Sequence, residues 1–87
     1  MGTLISRYGE TSGKFVSPYG TSFGARGLPP YLRSEPLKSY EILKPFEVQS
    51  GIVAPAFNQA GLGIQYELPV SAKFLIKREI IREIGSN

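Results

Sequence analysis

The side chains that could do chemistry in this chain are few, because it contains no histidine, no cysteine and no aspartate. Without histidine and aspartate there is no serine-type triad, and without histidine and cysteine there are no ordinary ligands for a transition metal. A glycosidase with paired carboxylates would have to rely on glutamates alone. The remaining groups are arginine, glutamine, aromatic rings and the backbone, and they suit a ligand that carries phosphate and an aromatic ring.

Gln65 stands out among these groups because of the segment around it. Residues 51–69 read GIVAPAFNQAGLGIQYELP, in which a total of five glycines and prolines surround this glutamine. Glycines of this kind let the backbone approach a ligand closely. A glutamine on the polar side of a strand is also commonly a solvent-exposed residue or a cross-strand hydrogen-bond partner. The residues alone leave both interpretations open.

The first half of the chain predicts mostly loops. Residues 1–39 are crowded with glycine, proline, serine and threonine, and they favour one strand, over 14–17. Alternating apolar residues over 39–48, interrupted at Lys44-Pro45, predict two short strands or one bent edge strand. After a predicted turn at Ser50-Gly51, residues 51–57 form a further extended run.

The second half predicts a strand, a helix and a closing strand. Over 64–68 apolar residues alternate with Gln65 and Glu67, so Gln65 should point away from the apolar side of its strand. Ser71 can cap a short helix that ends at Lys77. A turn at Arg78-Glu79 and a strand after it should close the domain, although residues 80–84 could also continue the helix.

Together these elements predict an α+β fold. We expect one small domain over residues 1–87, made mainly of short strands in a mixed sheet or compact sandwich, with a loop-rich N-terminal half and one short C-terminal helix. A chain of this length buries only about 60% of its unfolded surface, which leaves room for one core. A monomer is the simplest expectation.

Charge and hydropathy narrow the range of partners. The net charge of +3 is mild and its basic residues are scattered, which argues against nucleic acid as a partner. The longest apolar run, 52–57, is far shorter than the roughly 20 residues of a membrane helix, so no membrane partner is expected. No signal peptide is visible, and the absence of cysteine does not indicate a compartment.

Four motifs follow one another over about residues 4–85, namely RYGETSGKFVSPYGTSFGARGLPP, YEILKPFEV, GIVAPAFNQAGLGIQYELP and the closing SAKFLIKREIIREI. Taken in this order, they resemble those of the tuberculosis necrotizing toxin family of NAD glycohydrolases. The resemblance implies a small fold of mixed α and β structure at the C-terminal end of a larger toxin, which is secreted or delivered into a target cell. It also implies NAD as a substrate rather than a cofactor, and a dedicated immunity protein as a partner. Cleavage of NADP is left open.

The resemblance also assigns roles to individual residues. Gln65 matches the family's essential glutamine, Arg7 and Arg26 match its NAD-contacting arginines, and Phe15 falls where a substrate-facing aromatic is expected. Some members use a histidine before the YEIL segment, and here the nearest counterpart is Lys38.

Each assignment has a structural alternative. Arg26 could brace a loop through backbone carbonyls, Phe15 could belong to the core, and Lys38 could be a solvated charge. Phe57, in the loop before Gln65, could be part of the core or a pocket wall. No metal ligand is expected.

The chemistry implied by the resemblance is feasible without histidine. Nicotinamide leaves the ribose as a neutral molecule and needs no general acid, so the protein must chiefly stabilise an oxocarbenium-like transition state and place one water. A degenerate domain that binds NAD or an immunity protein without turnover is the first alternative. A small basic nucleic-acid module is the second. Hydrolysis, cyclisation and transfer of ADP-ribose share the first bond cleavage and are not distinguished by the sequence.

Overall fold

A sheet of six strands runs through the molecule, and all of its neighbouring strands are antiparallel. The computed structural model describes residues 2–86. In chain order the strands are β1 (Leu4–Tyr8), β2 (Phe15–Pro18), β3 (Leu37–Ile42), β4 (Gln49–Ile52), β5 (Ile64–Glu67) and β6 (Ile81–Ser86). Their spatial order is β4-β5-β2-β1-β3-β6. Within the described residues there are also helix α1 (Ala72–Lys77) and two 3₁₀ turns, Gly24–Arg26 and Pro30–Ser34.

Strand β2 joins the two halves of this sheet. Its second half pairs with β1 through Ser6 and Ser17, whereas its first half pairs with β5 through Val16 and Tyr66. The strands β1 and β2 therefore separate beyond the Ser6–Ser17 pair. The loop over residues 9–14 spans this gap.

The main core lies between one face of the sheet and helix α1. Its buried side chains come from four strands, from the segment that follows β5 and from the helix, and they are Ile5, Val16, Tyr40, Leu68, Ala72, Leu75 and Ile81. Burial of a Leu or Ile side chain of this kind stabilises a fold by about 1.5–3 kcal/mol. The core therefore stabilises the sheet, whose other face is free to carry a functional site.

Helix α1 is short, and both of its ends are capped. The Ser71 hydroxyl accepts a hydrogen bond from the Phe74 amide at 3.2 Å. At the other end Glu79 adopts a left-handed conformation, and the amides of Glu79 and Ile80 bond the carbonyls of Ile76 and Leu75. This pattern of two bonds is a Schellman motif, which turns the chain directly into β6.

The predicted α+β class is confirmed, with a loop-rich N-terminal half and one short C-terminal helix among the described residues. The strands predicted over 14–17 and 64–68, the Ser71 cap and the turn before the closing strand are each found within a residue or two. The sheet is antiparallel in all its pairings.

Three predictions about individual strands were wrong. The loops expected over 1–39 contain β1, whose five residues carry an alternation too short to distinguish from a turn-rich segment. Strand β3 is not an edge strand, because β1 and β6 flank it on either side, and residues 43–48 beyond it are not in a strand. The predicted turn at Ser50-Gly51 lies inside β4. This edge strand is exposed, so a glycine in it costs no side-chain packing.

Two further properties concern the part of the chain that the structure describes. Over residues 2–86 no helix has the length and apolar character needed to cross a membrane. In the same range no three histidine, cysteine or acidic side chains lie close enough together to hold a metal ion.

Tyr40 is the largest fully buried side chain of the core, and its hydroxyl has no hydrogen-bond partner among the described residues. Burial raises the pKa of this hydroxyl to about 12, with a further increase from Glu83 and an opposing effect of Arg7. The folded protein therefore holds the Tyr40 proton more tightly than the unfolded chain, whose tyrosine pKa is about 10.

The raised pKa of Tyr40 predicts a loss of stability in alkali. Between about pH 10 and pH 12 the unfolded state binds fewer protons than the folded state, so the free energy of unfolding falls as the pH rises. At pH 12 the wild type should have lost about 2 kcal/mol more than Tyr40→Phe, relative to neutral pH. Urea unfolding at a series of pH values measures the difference. Parallel pH profiles for the two proteins would contradict the burial of an un-ionised Tyr40.

Candidate functional site

A cleft of about 190 Å³ lies on the face of the sheet opposite helix α1. It is lined by Arg7, Tyr8, Phe15, Val16, Ser17, Arg26, Leu28, Leu32 and Gln65. We call it the arginine cleft. It brings together the ends of three neighbouring strands, β5, β2 and β1, and the segment that contains the two 3₁₀ turns.

The floor beside the cleft is made of small side chains. Ser6, Ser17 and Ser39 lie in register on adjacent strands, and each is less than 9% exposed. Because these side chains are short, the segment with the 3₁₀ turns can lie close to the strands. The sheet thus receives a second layer on this face, built from loops rather than from a helix.

Arg26 fastens that layer to the sheet. It is only 6% exposed, and its guanidinium donates to the Thr21 carbonyl through Nε, to the Ser6 carbonyl through Nη1 and to the Ser6 hydroxyl through Nη2. The distances are 3.0, 3.0 and 2.6 Å. Its Cζ lies 5.1 Å from the centroid of the Tyr8 ring. Three of the five N–H donors of the guanidinium are used in this way, which leaves two on the Nη atoms.

Burial lowers the pKa of Arg26 from its ordinary value, and only the neighbouring Tyr8 opposes this effect. The direction of the change means that the surroundings disfavour the charged form. An arginine keeps its proton in proteins all the same. The cleft therefore holds a positive charge that is poorly solvated.

Arg7 occupies the gap between β1 and β2. Its Nη1 donates to the Phe15 carbonyl at 3.0 Å, and its Nε is buried with no partner among the described residues. Burial also lowers the pKa of this guanidinium, while Tyr40 and Glu10 raise it by smaller amounts. Neither Arg7 nor Arg26 takes part in the ion pairs found within residues 2–86, which are Lys14–Glu67, Lys38–Glu83 and Arg82–Glu41.

Gly13 sets the position of the Arg7 guanidinium. A Cβ atom at Gly13 would overlap Cζ and both Nη atoms of Arg7. The loop that carries this glycine is held from the other side, because the carbonyls of Gly13 and Thr11 accept from the first amides of helix α1, at Ala72 and Lys73. The helix N-terminus thus fixes the loop, and the loop fixes Arg7.

Gln65 and Phe15 lie on neighbouring strands at one end of the cleft. Phe15 is 48% exposed, so it is a surface ring and not a core residue. Gln65 is partly buried on the face of β5 opposite the core, as its alternation predicted. The cleft therefore combines two cations, an exposed aromatic face and a neutral amide.

Comparison with known proteins shows the family to which the chain belongs. The sequence profile described as tuberculosis necrotizing toxin matches residues 1–84. The chain belongs to the tuberculosis necrotizing toxin family. Membership implies a domain of the NAD glycohydrolase toxin type.

Two relatives illustrate the family. The conidial surface nicotinamide adenine dinucleotide glycohydrolase nadA of Aspergillus fumigatus is 29% identical over 94 residues, which cover 100% of this chain and 40% of that protein. The solved structure of tuberculosis necrotizing toxin complexed with its immunity factor IFT has a TM-score of 0.81 to this chain at 24% identity, over 92% of this chain and 47% of that one. This second match shows a shared fold. The chain spans less than half the length of either relative.

Two predicted site residues, Lys38 and Phe57, lie outside the arginine cleft. The Lys38 ammonium is paired with the Glu83 carboxylate at 3.7 Å, and Lys38 does not line the arginine cleft. Phe57 lies in a tight turn closed by the Ala56–Gln59 bridge, is 55% exposed and is also outside the lining. A direct contact of either side chain with a ligand stays a prediction.

The structure adds residues to the arginine cleft that the sequence did not indicate. Tyr8 lines the cleft because β1 is a strand, and Leu28 and Leu32 line it because the 3₁₀ segment folds back over the serines. The spacing of glycines and prolines over residues 24–36 could have indicated a segment of tight turns. It could not have indicated that this segment packs against the sheet. The sequence could not show that Arg7, in β1, packs on Gly13, in the loop that follows.

The contact between Gly13 and Arg7 predicts a coupling that a double-mutant cycle measures. Gly13→Ala should displace the guanidinium and cost about 1.5–3 kcal/mol, the value of a charged hydrogen bond to the Phe15 carbonyl. In an Arg7→Ala background the same substitution should cost nothing, or stabilise slightly through the unfolded state. Urea unfolding of the four proteins gives the coupling. Equal costs in the two backgrounds would show that Gly13 does not position Arg7.

Proposed function

We propose that this chain is an NAD glycohydrolase toxin domain that cleaves the bond between nicotinamide and ribose. The observation that carries the proposal is the arginine cleft, which is lined by buried Arg26, partly buried Arg7 and Gln65. Neither arginine is paired with a carboxylate among the described residues. A buried cation is stabilised by a counter-ion. A diphosphate supplies that counter-ion, and the Aspergillus fumigatus relative is a glycohydrolase of a dinucleotide that contains one.

The two arginines can bind the diphosphate because both keep donors for it. Arg26 uses one N–H of each Nη atom within the protein, and Arg7 uses Nη1 toward Phe15. Phosphate oxygens accept such charge-assisted hydrogen bonds at short distances. Because these donors are fixed before the ligand arrives, little side-chain entropy is lost on binding.

The proposed reaction is a heterolysis at the ribose C1′ carbon. The bond from C1′ to the pyridinium nitrogen breaks, its electron pair stays with the nitrogen, and nicotinamide leaves as a neutral molecule. Positive charge develops on C1′ and the ring oxygen of the ribose. Water then adds to C1′ and releases a proton to solvent, which gives ADP-ribose.

Gln65 is the residue we assign to the reacting carbon. Its side-chain carbonyl can face the developing positive charge or orient the attacking water, and neither role needs a proton transfer from the protein. The Phe15 ring, exposed next to it, can stack on a flat ring of the substrate. The chemistry therefore uses groups that keep one protonation state at neutral pH.

We further propose that residues 1–87 form one module of a larger toxin that is secreted or delivered into a target cell and blocked by an immunity protein. The solved relative was crystallised with its immunity factor, which supports a partner of this kind. Whether NADP is also cleaved is left to experiment.

A second candidate is a degenerate domain that binds NAD without turnover. The ion pair of Lys38 with Glu83 favours it, because the position that resembles the histidine of some members is engaged within the protein. Calorimetric titration with NAD, in parallel with an assay for free nicotinamide, separates the two functions. Binding without release would select the degenerate domain.

The proposed role of Gln65 predicts a large loss of turnover in Gln65→Ala. Loss of one preorganised group that faces charge in a transition state lowers kcat by about 100-fold to 1,000-fold. Nicotinamide release from NAD is the assay, with circular dichroism to verify the fold. Gln59→Ala is a matched control, because Gln59 lies in the preceding loop and outside the cleft lining. A wild-type protein that releases no nicotinamide, or a Gln65→Ala variant as active as Gln59→Ala, would contradict the proposal.

A further inference from the structure

Two side-chain polar atoms within residues 2–86 are buried without a hydrogen-bond partner, the Nε of Arg7 and the hydroxyl oxygen of Tyr40. We propose that one buried water connects them, and that Tyr40 is thereby a positioning residue for the Arg7 guanidinium. The inference rests on the proposed function, since it names what orients one of the two arginines assigned to the diphosphate. It gives a role to a hydroxyl that the proposed reaction does not use.

Strand register brings the two side chains to the same face of the sheet. Tyr40 in β3 lies directly opposite Ile5 in β1, and both belong to the core between the sheet and helix α1. Arg7 follows Ile5 by two positions, so its Cβ atom is on that same face. Arg7 and Tyr40 are therefore a diagonal cross-strand pair, about 7–8 Å apart, which long side chains can span. Beyond its Cβ atom, the Arg7 side chain enters the gap between β1 and β2 and reaches the arginine cleft.

No carboxylate among the described residues serves as the partner of either atom. Glu83 lies opposite Tyr40 in β6, but its carboxylate is paired with the Lys38 ammonium at 3.7 Å. Glu10 is exposed and belongs to none of the ion pairs within residues 2–86. A buried N–H of arginine can only donate and needs an acceptor. A water meets this need, because it can accept from the Arg7 Nε–H and donate to the Tyr40 oxygen.

The charge effects on the two groups agree with their proximity. Burial has the largest effect on each, since it lowers the pKa of Arg7 and raises that of Tyr40 to about 12. After burial, Tyr40 raises the pKa of Arg7. In the other direction, Arg7 opposes the increase that burial and Glu83 produce at Tyr40. Effects of these signs arise when groups of opposite charge lie within several ångströms of each other.

The hydroxyl of Tyr40 is not needed to fill the core. The side chain is fully buried, and a phenylalanine would occupy the same volume without a polar atom. Burial of a hydroxyl that bonds nothing is unfavourable. The contribution of a tyrosine at this position therefore lies in what its oxygen bonds, and the Nε–H of Arg7 is the buried donor on the same face that has no acceptor.

A second anchor would fix the plane of the Arg7 guanidinium. Arg26 is held by three direct hydrogen bonds, whereas Arg7 has one, from Nη1 to the Phe15 carbonyl at 3.0 Å. A planar group with one hydrogen bond can still turn about that bond. Restraint at Nε removes this freedom and leaves the remaining Nη donors of Arg7 oriented before an anion enters the cleft, so less entropy is lost on binding.

The first test uses the ligand-free domain and does not depend on any activity. In NMR spectra of the wild type, the Nε–H signal of Arg7 should show a cross-peak to a long-lived water and exchange slowly with bulk solvent. In Tyr40→Phe the signal should shift and exchange faster. The inference is overturned if the wild-type signal contacts no bound water, or if it exchanges at the same rate in the two proteins.

The second test measures the affinity for ADP-ribose by calorimetry. Loss of one hydrogen bond that orients Arg7 should weaken binding to Tyr40→Phe about threefold to tenfold. Tyr66→Phe is the matched control, because Tyr66 is also partly buried against the core and lies outside the cleft lining. It should bind within about twofold of wild type, and circular dichroism verifies that each variant folds. Equal affinities of Tyr40→Phe and Tyr66→Phe would overturn the inference.

A double-mutant cycle separates positioning of Arg7 from a general effect on the core. Arg7→Lys keeps the positive charge but has a methylene group where arginine has Nε, so Tyr40 has nothing to orient. In this background Tyr40→Phe should change the affinity for ADP-ribose by less than about twofold. An equal loss in both backgrounds would show that Tyr40 acts through the fold and not through Arg7. If the wild type binds no ADP-ribose, the anion site of the proposed function is refuted, and the Nε–H measurement alone decides the inference.

Discussion

The buried guanidinium of Arg26 is the interaction on which the functional face of this domain depends. Helix α1 covers one face of the sheet with apolar side chains. The other face is covered by loops and 3₁₀ turns, from which Phe23 buries its ring against Tyr8. Arg26 holds that second layer through hydrogen bonds to the Ser6 and Thr21 backbone. Buried hydrogen bonds of a charged donor contribute about 1.5–3 kcal/mol each, so one side chain can replace a good part of a missing core.

The same residue links the fold to the proposed chemistry. Arg26 is charged and buried, and Arg7 in the same cleft is charged and partly buried. Neither has a carboxylate partner within residues 2–86. Pairing either arginine with a glutamate would stabilise the empty protein but would neutralise the cleft. The protein retains the positive charge of the two arginines instead, and an anionic ligand can neutralise that charge.

The parts of the structure that follow from local pattern could be predicted, whereas the parts set by long-range pairing could not. The alternation around Gln65 placed its strand and its direction, and Ser71 marked the start of the helix, because both signals lie within a few residues. The interior position of β3 depends on pairing with β6, about forty residues later, which no local pattern encodes. The roles of Arg7 and Arg26 came from resemblance to the family. Their common cleft depends on register between strands that are distant in sequence.

The central claim is that the two unpaired arginines form an anion site next to Gln65. The most direct test is an NMR titration of the domain with ADP-ribose, which carries the diphosphate and lacks the scissile bond, with the side-chain Nε–H signals of the arginines observed. Binding at this site should shift the Nε–H signals of Arg7 and Arg26 and the amide of Gln65 together, with one affinity that falls as salt is added. Binding that shifts the exposed cations of residues 73–82 and leaves Arg7 and Arg26 unchanged would contradict the claim.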